Sequence, residues 1–151
     1  MAKNTRDTAF RRINVDEYDE DSYQEDDSGE KGQNLGPNQN EITNLLNRGD
    51  SSKALKLVLD NAPVESRDQK VKDAALTLAL RVLLSVKTAQ MEEIVKGLDR
   101  RQLETLLKYV YRGFEAPSES SSAQLLAWHE KVRQVTGVGS IVRVLTDRKR
   151  V

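Results

Sequence analysis

The sequence predicts an all-α protein: a compact helical bundle or α-α superhelix of about six or seven short helices, carrying a disordered or extended N-terminal arm. Three observations predict it. From Asn38 onward, apolar residues recur at three- and four-residue spacing, the period of a helix with one buried face. Capping residues and glycines divide that stretch into short lengths. Residues 1–37, by contrast, hold few apolar groups and a long acidic run. No internal repeat of fixed period is evident, so a regular solenoid is not expected.

Taken in order, Asn38-Gln39-Asn40-Glu41 reads as a capping box opening a helix with Ile42, Leu45 and Leu46 on one face, stopped by Gly49. Asp50 or Ser51 caps the next, where Leu55, Val58 and Leu59 form the stripe and Asn61-Ala62-Pro63 ends it. The stretch Asp68 to Val86 is the strongest element. Val71, Ala75, Leu78, Val82 and Val86 share one face, and Leu76, Leu80, Leu83 and Leu84 widen it almost all the way round. A helix apolar on most sides is expected at the centre of a bundle. Thr88 caps a short helix with Met91, Ile94, Val95 and Leu98. Asp99-Arg100-Arg101-Gln102 is a second capping box, opening a helix with Leu103, Leu106, Leu107, Val110 and Phe114 and with Gly113 near its stop. A third cap, Ser121 to Gln124, precedes Leu125, Trp128, Val132 and Val135, closed by Gly137. Residues 138–151 are ambiguous: Ile141-Val142-Arg143-Val144-Leu145 has strand propensity, but no partner strand is evident, so a final helix capped by Ser140 is favoured.

At 151 residues the chain suits one domain with a real core. Hydrophobic residues are 37% and charged residues 32%, polar enough that part of the length is expected to stay outside that core. Cysteine is absent, and no apolar stretch resembling a signal peptide or a spanning helix follows Met1. Both features lead to the expectation of a reducing, cytoplasmic setting without membrane insertion. The net charge is zero but unevenly spread. Asp16 to Glu30 holds nine acids and no base, whereas Glu41 to the end holds 19 bases and 14 acids. An acidic arm (1–37) on a mildly basic body (38–151) favours basic protein surfaces over nucleic acid or the anionic leaflet. The large apolar groups between Met1 and Leu35, namely Phe10, Ile13, Val15, Tyr18 and Tyr23, are too few to offset an ordering cost of roughly 1–2 kcal/mol per residue. The arm therefore either docks along a partner, with those groups as anchors, or serves as a solubilising tail.

Signals for chemistry are weak, and no enzyme is expected. Nucleophilic catalysis needs a base beside its nucleophile, and the only histidine is His129, next to Trp128 on a helix. One histidine and no cysteine make a zinc site hard to build, so no metal or other cofactor is expected. Gly137-Val138-Gly139-Ser140 lacks the lysine and spacing of a phosphate loop and reads better as helix stop and start. Glu92-Glu93 has the character of a solvated pair. Arg100-Arg101 and Arg148-Lys149-Arg150 lack an aromatic platform for nucleic acid.

Several segments resemble a known family. Lys108-Tyr109-Val110-Tyr111-Arg112-Gly113-Phe114-Glu115, Pro117-Ser118, Leu125-Leu126, Trp128-His129-Glu130-Lys131 and Gly137 to Thr146 are similar to the smallest (fifth) subunit of the actin-related protein 2/3 complex. So are Lys3-Asn4-Thr5, Phe10 to Asp19, Val71-Lys72-Asp73 and Val82-Leu83. The resemblance implies a non-catalytic structural subunit of a cytoplasmic, cytoskeletal assembly that nucleates branched actin filaments. It implies an all-helical body seated on the fourth subunit and the β-propeller subunit, and an arm reaching the second actin-related protein, with contact to actin filaments only indirect. Carried onto this chain, the arm contacts are Phe10, Arg11, Arg12, Ile13, Val15, Asp16, Glu17, Tyr18 and Asp19. Tyr109, Tyr111, Arg112, Trp128 and Arg143 are the candidate body contacts. The closing Asp147-Arg148-Lys149-Arg150-Val151, Arg100-Arg101-Gln102 and the linker from Gln24 to Gln39 depart from the family pattern. The alternative is a stand-alone helical adaptor unrelated to actin.

Overall fold

Seven α-helices account for the regular structure among the described residues: α1 (Gln39–Asn47), α2 (Ser51–Asp60), α3 (Gln69–Ser85), α4 (Thr88–Lys96), α5 (Arg100–Glu115), α6 (Ser121–Thr136) and α7 (Val138–Thr146). The computed structural model describes residues 36–115 and 121–151, all within one compact unit, Gln33–Val151. The proposed arm contacts, Phe10 to Asp19, lie outside the described residues.

Local chemistry explains most boundaries. Asn38 caps α1 by accepting from the Asn40 amide at 3.1 Å. The Asp99–Gln102 box forms in both directions: Asp99 Oδ1 accepts from the Gln102 amide at 2.7 Å and Gln102 Oε1 from the Asp99 amide at 3.1 Å. Gln102 Nε2 also donates to Asp60 Oδ1 at 2.7 Å, tying the start of α5 to the end of α2. Elsewhere the expected caps are not used as such. Asp50 makes no cap bond and pairs with Lys53 instead. Thr88 is already helical, with Lys87 in the cap position. The helix expected to start at Ser140 starts at Val138. Gly137 turns the chain between α6 and α7 at φ +69°, a conformation L side chains rarely adopt. Ser140, buried, then donates to Gly137 O at 3.1 Å and lies 2.6 Å from Thr136 Oγ1, stitching the corner from inside.

The centre of the body is α5, not α3 as the leucine content of α3 predicts. Leu103, Thr105, Leu106, Leu107, Tyr109, Val110 and Gly113 of α5 are buried, and α5 packs against α2, α3, α6 and α7. In α3 only Ala75, Ala79, Val82 and Leu83 are buried, and Val71, Leu76, Leu78, Leu80 and Leu84 are half-covered. Hydrophobicity on all sides shows what a helix can bury; how closely its neighbours cover it decides what it does bury. Gly113 lies near the end of α5, as expected, and has a packing role. A Cβ there would lie 2.8 Å from Leu80 Cδ2 and 2.9 Å from Leu125 Cδ1, so the glycine lets α5 approach α3 and α6 closely.

The third predicted capping residue has a different task. Gln124 reaches across from α6 to the end of α3, where its Nε2 lies within hydrogen-bond distance of Leu83 O (3.1 Å), Leu84 O (3.2 Å) and Val86 O (2.6 Å). Trp128 Nε1 adds a buried bond to Leu83 O at 3.1 Å. The carbonyls that a helix end leaves unmatched are thus met by another helix. Gln124→Ala is expected to destabilise the body by about 1–3 kcal/mol, lowering Tm by several degrees in thermal denaturation. Gln134→Ala on the same helix, which removes only an exposed bond to Glu130, should leave Tm within about a degree.

Candidate protein interface

The period of α7 sets up an unusual surface. Residues 138–146 read Val-Gly-Ser-Ile-Val-Arg-Val-Leu-Thr, apolar on two opposite sides. Ser140 and Val144 face the body and are buried, with Ile141 packed at the edge of the core. On the other side, at i, i+4 and i+7, Val138, Val142 and Leu145 are 60%, 53% and 66% exposed. Val135, three residues before Val138, and Leu126, on α6, are also exposed. Single exposed aliphatics are ordinary; three aligned on one helix face leave a continuous apolar stripe open to solvent. This part of the chain is rich in bases: residues 133–151 hold five (Arg133, Arg143, Arg148, Lys149, Arg150) and one acid, Asp147, with Glu104 and Glu65 of other segments set against Arg143 and Lys149.

Beyond α7 the chain lies down on the body as a strap. Lys108 Nζ donates to Asp147 Oδ2 at 2.7 Å and to Lys149 O at 2.8 Å, and Lys72 Nζ donates to Arg150 O at 2.7 Å. Val151 is buried at its end. The hydrogen bond from Lys108 holds the Asp147 carboxyl below its ordinary value, helped by the Lys149 amide. Desolvation, then repulsion from Arg112 and Lys108, pushes the Lys72 ammonium below its ordinary value. Strap, α7, α5 and the end of α2 border a cleft of about 870 Å³. Its wall alternates acids and bases (Asp60, Glu65, Glu104; Arg101, Lys108, Arg143), so it concentrates neither sign. Among the described residues no group of three His, Cys, Asp or Glu side chains could hold a metal, and no single helix is long and apolar enough to cross a membrane.

Of the five candidate body contacts, the structure places two in the core. Tyr109 and Trp128 are fully buried and present no atoms to a partner in this body, because both face inward from the packed sides of α5 and α6. Tyr109 Oη has no hydrogen-bond partner among the described residues, and burial raises its pKa. The other three are nearer the surface but engaged within the chain. Tyr111 Oη lies 3.1 Å from His129 Nε2, with the rings edge to face at 5.7 Å. Arg112 bonds Asp73 at 3.3 Å and Glu115 at 2.8 Å, and Arg143 bonds Glu104 at 2.7 Å. The stripe itself, Val138, Val142 and Leu145, was not among the predicted contacts. Its signal was present: laid on a helix rather than a strand, the segment has more apolar sides than one core contact can cover.

The described residues form a small all-helical body whose last helix carries an outward aliphatic stripe. Residues 9–151 match the family model described as the ARP2/3 complex 16 kDa subunit (p16-Arc). Over the full length of both chains it is 47% identical to actin-related protein 2/3 complex subunit 5-C of Xenopus laevis and 43% identical to the subunit 5-like protein of Homo sapiens. It is 32% identical to the probable subunit 5 of Caenorhabditis elegans, covering 95% of this chain and 97% of that protein. The chain belongs to the p16-Arc family.

Two measurements check this geometry. Tyr109→Phe removes a buried hydroxyl that has no partner among the described residues, so it should fold normally and gain about 1 kcal/mol in denaturant unfolding. Because Asp147 binds its proton less tightly in the folded chain, its contribution is present above the ordinary aspartate value of 3.8 and is lost as pH falls through its lower folded value. The Val151 methyl resonances should report that acid transition. Lys108→Met should shift its midpoint back up toward the ordinary value, and an unmoved midpoint would assign the depression to other groups.

Proposed function

We propose that this chain is a non-catalytic structural subunit of the actin-related protein 2/3 complex, the assembly that nucleates branched actin filaments, working in the cytoplasm at the actin cytoskeleton. In this reading the body (38–151) docks on neighbouring subunits, the fourth subunit and the β-propeller subunit. The arm (1–37) tethers the second actin-related protein. The observation that carries docking is the outward stripe Val138, Val142 and Leu145: covering three aliphatic side chains contributes roughly 25 cal/mol per Å² removed from water. Family membership along nearly the whole chain supports the identity of the assembly. The division of labour rests on sequence: an acidic segment with five scattered large apolar groups gains order most readily against a partner.

Tethering works through effective concentration. An arm fixed to a docked body meets its target again and again, so weak contacts suffice to hold a subunit that moves. The acids of the arm make that contact salt-sensitive. A catalytic reading would have to rest on His129, which stands against Tyr111 with no acid or nucleophile paired to it by any hydrogen bond described above.

Deleting residues 1–35 is expected to leave helix content per described residue unchanged and the body co-purifying with its neighbours. Retention of the second actin-related protein should fall by roughly 10- to 100-fold. Failure of the truncated body to assemble would refute the division into docking body and tethering arm.

A further inference from the structure

We infer that the outward face of α7 receives an apolar helix or ridge flanked by carboxylates on a neighbouring protein. The inference rests on the docking reading above and adds the chemistry of the surface that docks. From Val138 to Leu145 the stripe rises about 10 Å, two helical turns, enough for two or three aliphatic side chains of a partner helix laid alongside. The opposite side of α7 is closed by Ser140 and Val144, so the helix cannot roll to hide the stripe. Flanking it in the chain are five bases; Arg143 is paired with Glu104 and Lys149 with Glu65, while Arg133 and Arg150 are exposed and supply the positive charge. The one acid, Asp147, is already taken by Lys108. The surface therefore attracts carboxylates at the edge of an apolar contact, where they steer approach and set register.

Rival occupants fit less well. A second copy would bring the same basic surround against itself. This chain's own acidic arm has the right sign, and Phe10, Ile13 and Val15 precede its acids, but under the proposed function those groups are committed to the second actin-related protein. A membrane surface also accepts apolar and basic groups together, but the stripe is only two turns long and carries no aromatic residue to seat at the interface.

The test uses the full-length chain within its purified complex. A photo-crosslinking amino acid at position 142 should label one peptide in which aliphatic residues are flanked by at least two Asp or Glu; a labelled peptide without them overturns the inference. In parallel, Val142→Asp and the pair Arg133→Glu with Arg150→Glu are compared for incorporation, with helix content checked by circular dichroism. Both should lower incorporation about 10-fold, and the arginine pair should also flatten its dependence on salt. Loss with Val142→Asp alone leaves the docking reading standing and overturns the acidic partner; loss with neither overturns both. Three other results overturn the inference by naming a different occupant. These are Val142-dependent self-association in sedimentation, Val142-dependent binding to phosphatidylserine vesicles, or a crosslink to residues 1–37 of the same chain.

Discussion

The burial of α5 among α2, α3, α6 and α7 is the constraint on which the rest of the body depends. Nearly every turn of α5 contributes to the core, from Leu103 through Val110 to Gly113. Each large side chain so buried is worth roughly 1.5–3 kcal/mol, an upper estimate against a real unfolded chain. Because four helices must reach one, at least one approach has to be very close. Gly113 provides it by leaving room for Leu80 and Leu125. The same crowding accounts for the cross-helix polar bonds. With α6 drawn against α3, Gln124 and Trp128 fall within reach of the carbonyls at the end of α3, and satisfying them there is cheaper than leaving them half-covered.

The helix left with a bare side is the one at the margin of this arrangement. α7 contacts α5 and α6 only, among the helix pairs that pack closely, so the body covers one of its two apolar sides. Its position is held from both ends: by the Gly137–Ser140 corner at its start and by the strap that Lys108 and Lys72 bind after it. A face held this firmly is pre-organised, which reduces the ordering cost of association. The charges nearby are mostly internal pairs of modest individual value. Arg143–Glu104 and Arg112–Glu115 are exposed enough for water to weaken them. Their contribution is to orient side chains and exclude wrong partners rather than to hold the fold together.

How far a sequence reading reaches depends on the range of the forces involved. Periodicity and caps act within a turn or two, so the existence of α1 to α6 and the Asn38 and Asp99–Gln102 caps followed from local residues. Gln124 read as part of a local cap, and the partners of its Nε2, some forty positions away, had no local signal. Tyr109 and Trp128 were taken as contact residues because they fall in segments resembling the family, yet similarity in a segment reflects the core as readily as the surface. The strand propensity of 141–145 misdirected attention from the spacing that mattered. β-branched residues favour strands only where a strand partner exists, and here the helix was set by packing on α5 and α6.

Composition, period and motif by themselves determined that this chain is helical from Asn38 onward, that its charge is split between an acidic beginning and a basic remainder, and which family it resembles. Only the tertiary structure decided that α5 occupies the centre, that Tyr109 and Trp128 are inside, and that Val138, Val142 and Leu145 remain outside. The reason is physical. Amphipathicity is a property of one helix, whereas burial is a relation between helices brought together from distant parts of the chain. α7 has two apolar sides but neighbours on only one, a fact its own residues do not contain.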